Sequence, residues 1–86
     1  MKKETLIKKI YQKAYDKSPR PMFGGGTGYY RLSKPKPITM DDGSVVNVEW
    51  VQPSYWSLDV LINYQTDCLK TTKLSENELR QILKVI

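Results

Sequence analysis

Leu6, Ile7, Ile10, Tyr11, Ala14 and Tyr15 recur at helical spacing and, at about 100° per residue, fall in one contiguous arc. The pattern predicts an amphipathic helix over residues 3–17 with that arc turned to a core. Lys2, Lys9 and Lys13 share a narrow sector of its outer face, with Gln12 and Asp16 beside them. Such a basic stripe either solubilises the helix or meets an anionic partner. Ser18-Pro19-Arg20-Pro21 ends the helix, because proline cannot continue the ladder and pushes its predecessor out of the helical region. Four glycines between Gly24 and Gly28 then make residues 18–28 a Pro/Gly-rich loop, read as a connector or as a backbone surface held close to a ligand.

From Tyr29 the period changes to two. Tyr29-Tyr30-Arg31-Leu32 reads as a short strand, and Lys34-Pro35-Lys36-Pro37 as an extended segment at a sheet edge. Asp41-Asp42-Gly43 between Ile38-Thr39-Met40 and the run from Val45 to Gln52 predicts a hairpin, with Val46, Val48 and Trp50 on its buried face. Leu58, Val60, Ile62 and Tyr64 alternate with polar neighbours as a further half-buried strand, and Cys68 to Lys73 supplies a final one. Ser75 and Glu78 have capping-box spacing, Leu74 and Leu79 occupy the staple positions, and Leu79, Ile82, Leu83 and Ile86 form a helical stripe over 75–86, with Arg80 and Lys84 outward. The expected fold is α+β: an N-terminal helix, an antiparallel meander of three to four strands over residues 29–73, and a C-terminal helix packed on the sheet. Eighty-six residues suit one small domain spanning 1–86.

Charge divides this chain. Residues 1–36 carry ten Lys and Arg against two acidic residues, a net +8, whereas residues 37–86 carry four against seven, a net −3. A cationic first half followed by a scaffold suggests an anionic partner. The single cysteine, Cys68, forms no internal disulfide and reads as a small buried hydrophobe in a reducing compartment. Lysines at 8 and 9 interrupt any leader-like apolar run, and no stretch has the roughly 18 apolar residues of a membrane span, so a cytoplasmic protein is expected.

Candidate chemistry is sparse. The chain has no histidine, which removes the commonest general base and metal ligand. Gly28 is followed by Tyr29, so the glycine loop lacks the Gly-Lys-Ser/Thr of a phosphate-binding Walker loop, and Tyr29 stands where a dinucleotide fingerprint needs its third glycine. Neither Glu49 nor Asp59 has a lysine two residues on, as a nuclease-like carboxylate would need. No nucleophile is paired with a base, and no catalytic residue, metal ligand or cofactor is expected.

Two binding surfaces remain. Lys2, Lys9, Lys13, Arg20, Tyr30, Arg31, Lys34 and Lys36 combine cations with an aromatic ring, the composition that single-stranded nucleic acid uses for phosphates and bases. Tyr55 and Trp56 follow Pro53 in a connection, where they either anchor a protein interface or fold back over the core. The charge split favours a non-catalytic nucleic-acid-binding protein. The alternative is a protein-binding module, a small regulator or inhibitor that occludes a partner protein with an acidic surface, a class that would include accessory proteins of mobile elements. A monomer or a homodimer paired through a sheet edge fits either reading.

Overall fold

The computed structural model describes residues 2–18, 28–65 and 67–86. The order of elements is α1 (Lys3–Lys17), β1 (Tyr30–Thr39), β2 (Val45–Pro53), β3 (Val60–Ile62), β4 (Leu69–Lys70), a 3-10 turn (Thr71–Lys73) and α2 (Glu76–Val85). The four strands form one antiparallel sheet in the order β1-β2-β3-β4. The α+β arrangement read from the sequence is the one observed.

Both helices cover one face of the sheet. Leu6, Ile10 and Ala14 of α1 meet Leu79 and Ile82 of α2 over Leu32, Ile38, Val48, Val51, Val60 and Ile62. The arc read on α1 is thus the buried one, with Ile7 and Tyr11 packed at its margin. α1 stops at Lys17, where Ser18 turns extended before Pro19. Ser18 N–H and Oγ both donate to the Ala14 carbonyl, at 2.9 and 2.7 Å. The capping box of α2 forms as read: Ser75 Oγ accepts from Glu78 N–H at 3.3 Å, and Glu78 accepts from Ser75 N–H at 2.8 Å. Leu74 and Leu79 are both buried.

The Asp-Gly hairpin is present. Thr39 pairs with Val45, Met40 N–H donates to the Ser44 carbonyl at 2.8 Å, and Gly43 takes φ +91°, a conformation that favours glycine. One oxygen of Asp42 accepts from Ser44 Oγ at 2.6 Å and Ser44 N–H at 2.9 Å, which holds that carboxyl below the ordinary aspartate range. The hairpin is then fastened to α2. Glu78 accepts from Asp41 N–H at 3.1 Å, Asn77 donates to Asp41 at 3.3 Å, and the Gln81 amide closes two bonds with Thr39 N–H and C=O at 2.7 and 2.6 Å.

That last clamp bears on self-pairing. β1 is an edge strand, as its prolines suggested, but Met40 points to β2, so Thr39 points outward and is occupied by Gln81. Pro37 shares the outward direction by alternation and has no N–H, and Pro35 has none either. The expected open edge therefore offers a second copy few donors on this side.

Three expectations about the strands are corrected, and one about Cys68. First, Trp50 does not join Val46 and Val48 on the buried face; Val51 does, because the β1–β2 register shifts at a bulge between Arg31/Trp50 and Lys36/Val48, with Glu49 and Trp50 both on the outer side. Asn63 braces that bulge from the end of β3. Its Oδ1 accepts from Glu49 and Trp50 N–H at 2.8 and 3.4 Å, its Nδ2 donates to the Asn47 carbonyl at 2.8 Å, and its N–H donates to the Trp50 carbonyl at 2.8 Å. Second, the alternation of β3 stops at Ile62. Asn63 has φ +54°, a left-handed conformation that Asn tolerates, and it turns Tyr64 out to solvent. Third, the final strand is only Leu69–Lys70. Asp59 accepts from the Thr71 hydroxyl, from Thr72 N–H at 3.1 Å and from the Thr72 hydroxyl at 3.1 Å, and winds that segment into a 3-10 turn. Cys68 just before it is exposed rather than buried.

Candidate functional site

The face of the sheet turned away from the helices is built by alternation. Across β1 and β2, Arg31 pairs with Trp50; across β2, β3 and β4, Gln52, Leu61 and Lys70 form one row. Arg31 and Lys70 are exposed, and Trp50, Gln52 and Leu61 are half-buried. Tyr29 meets Trp50 edge-on, with ring centroids 4.9 Å apart, and is 48% exposed. Aromatic rings and the cations Arg31 and Lys70 therefore share the uncovered face with one carboxylate, Glu49.

At its far end the β2–β3 connection makes a second aromatic group. Tyr55 and Trp56 stand edge to face, centroids 4.6 Å apart at 86°. Trp56 is 89% exposed, which settles one alternative: it is not a lid on the core. Gln52, Pro53, Leu61 and Tyr64 line an open groove of about 250 Å³ with this pair. The connection is braced from beneath. Tyr11 Oη donates to the Ser54 carbonyl at 3.3 Å, Ser54 N–H donates to the Asp59 carbonyl at 2.9 Å, and Trp56 N–H donates to Ser54 Oγ at 3.3 Å.

The residues singled out in the sequence fare differently. Lys2 and Lys9 are exposed on α1, and Lys34 and Lys36 on β1, as an anion-binding surface requires. Lys13 is half-buried and donates to the Leu83 carbonyl at 3.1 Å. Lys17 reaches the main-chain oxygen of Ile86 and sits 5.2 Å from the centre of the Tyr30 ring. These two ammonium groups therefore serve the carbonyl-rich end of α2, where cations are favoured. Tyr30 is half-buried on the helix side, and its neighbour Tyr29 is the more exposed ring. Arg20 and Gly24 to Gly26 lie outside the described residues.

Sequence reasoning missed Tyr29, Trp50, Leu61, Tyr64 and Lys70 as members of one surface. The register that joins them depends on the Asn63 bulge, and the only local signal was an Asn after the last apolar residue of β3. Asp59 carries no catalytic geometry. Burial opposes its ionisation, but donation from Thr71, Thr72 and Val60 outweighs that and keeps the carboxyl below the ordinary aspartate value of 3.8. No group of three or more Cys, Asp or Glu side chains that could hold a metal ion occurs among the described residues. Among the same residues, no helix is long and apolar enough to cross a membrane. No family model matches this chain, and no curated protein or solved structure is significantly similar to it.

Proposed function

We propose that this chain is a non-catalytic protein that binds single-stranded nucleic acid on the open face of its sheet. The observation that carries the reading is the sharing of that face by aromatic rings and cations: Tyr29 against Trp50 beside Arg31, and the Tyr55, Trp56 and Tyr64 group against Leu61, whose cross-strand neighbour is Lys70. Unpaired bases stack on exposed rings whatever their identity, and phosphates meet the flanking cations. The net charge of +5 adds attraction at longer range. Lys2 and Lys9 on α1 and Lys34 and Lys36 on β1 contribute to that field, whereas Lys13 is engaged with α2.

Binding of this kind is weakly sequence-specific and sensitive to salt. Fluorescence polarisation of labelled oligonucleotides, single-stranded DNA, single-stranded RNA and duplex, between about 50 and 200 mM salt tests it. The expected result is tighter binding of single-stranded than of duplex probes, falling log-linearly with salt and weakened by Arg31→Glu. Equal affinity for duplex, or loss on Lys2→Glu/Lys9→Glu with Arg31→Glu unchanged, would return the site to α1.

The protein-interface reading keeps one specific observation in its favour: Leu58, an aliphatic side chain of no use to a base, is exposed in the same connection as Tyr55 and Trp56. Failure of every oligonucleotide to bind would select it.

A further inference from the structure

The groove beside Trp56 has features beyond those of a stacking surface in general. It is concave, about 250 Å³, and bounded by aromatic rings from the connection before β3 and from the turn after it. Tyr55 braces Trp56 edge-on and leaves the indole almost wholly free, and Tyr64 is thrown outward by the positive φ of Asn63. Gln52 and Leu61 form the floor as a cross-strand pair, and Lys70, the next residue of that row, is exposed beside it. The support is preorganised. Ser54 is held by Tyr11 of α1 and by Asp59, whose carboxylate is in turn occupied by Val60, Thr71 and Thr72. Little ordering is therefore needed when a ligand arrives.

We infer that this groove is a receptor for one unstacked base of a single-stranded nucleic acid, stacked on Trp56, with Lys70 taking an adjacent phosphate. The inference rests on the nucleic-acid reading and narrows it. A base inside a duplex keeps its stacking partners and cannot enter without melting, so the groove selects unpaired strands. The shared chemistry is a flat π face for the ring and a cation for the backbone, a ring and an anion that successive nucleotides supply at every residue.

Trp50→Phe leaves Trp56 as the only tryptophan of the chain. Its emission is followed while an oligothymidylate of about eight nucleotides is added, with polarisation of a labelled copy measured in parallel. Saturable quenching that tracks the polarisation curve, and about tenfold weaker binding by Trp56→Ala, is the expected result. Polarisation that saturates while Trp56 emission stays constant overturns the groove and leaves the broader reading standing. No polarisation change by the unmodified chain with any strand overturns both. Because Trp50 is itself a ring of the proposed face, the unmodified chain is also photo-crosslinked to the same oligomer carrying 5-iodouracil. Adducts within 55–64 support the groove, and adducts confined to α1 overturn it.

Discussion

The two ends of the sheet treat their side chains in opposite ways. At the hairpin end, polar groups are consumed by the protein itself: Glu78 holds the Asp41 N–H, Asn77 the Asp41 carboxylate, and Gln81 the Thr39 backbone. At the opposite end, around the β2–β3 connection, the backbone is equally well held, yet Tyr55, Trp56, Leu58 and Tyr64 are left in solvent. The same division runs through α1, where Lys13 is spent on α2 and Lys9 is free. Residue type alone therefore does not mark a binding surface. The proposed surface is distinguished instead by side chains left exposed over a hydrogen-bonded backbone.

Substitutions sharpen that contrast, the largest effect first. Asn63→Ala strands the Glu49 and Trp50 N–H groups and puts a strained φ on alanine, and should cost about 3 kcal/mol in urea unfolding. A change below about 1 kcal/mol would mean that the bulge sustains itself without the side chain. Glu78→Ala removes a buried acceptor from two N–H groups and should cost about 2 kcal/mol, while Ser75→Ala, losing one cap, should cost about 1 kcal/mol.

The next test is acid unfolding. Asp59 is held below its ordinary value, so its ion contributes stability above that value, and the contribution is lost as pH falls through the folded value. Asp59→Asn should flatten the fall in stability below about pH 4, seen as a smaller gap between melting temperatures at neutral and acid pH. Lys13→Glu should cost about 1 kcal/mol through the α2 terminus, against near zero for Lys9→Glu, its neighbour one turn away. Equal effects would erase the distinction drawn within the stripe. Trp56→Ala should leave the free energy of unfolding unchanged within about 0.5 kcal/mol. A marked loss of stability there would show that the exposed indole has a structural task after all.

Much of this architecture was legible where the signal is local. Helical periodicity located α1, the Ser75/Glu78 box located α2, and Asp-Gly located the hairpin, because each depends on residues within one or two turns of one another. The misreadings share a cause in distance. Whether Trp50 or Val51 faces the core is decided by Asn63, whether Thr71 and Thr72 extend or coil is decided by Asp59, and what Lys13 does is decided by Leu83. The exposed pair Tyr55-Trp56 was visible as a candidate from its position after Pro53, but its partners Tyr64 and Lys70 required the register of three strands.

The α1–α2 contact has a consequence for the order of assembly. The bonds from Lys13 and Lys17 to α2 close loops of 70 and 69 residues, whereas the hairpin bond from Met40 to Ser44 spans four. Local closure is fast and distant closure is entropically slow. The hairpin is therefore expected to form early and the helix pair to dock late, so that mutations at the Lys13–Leu83 junction accelerate unfolding while leaving the refolding rate nearly untouched.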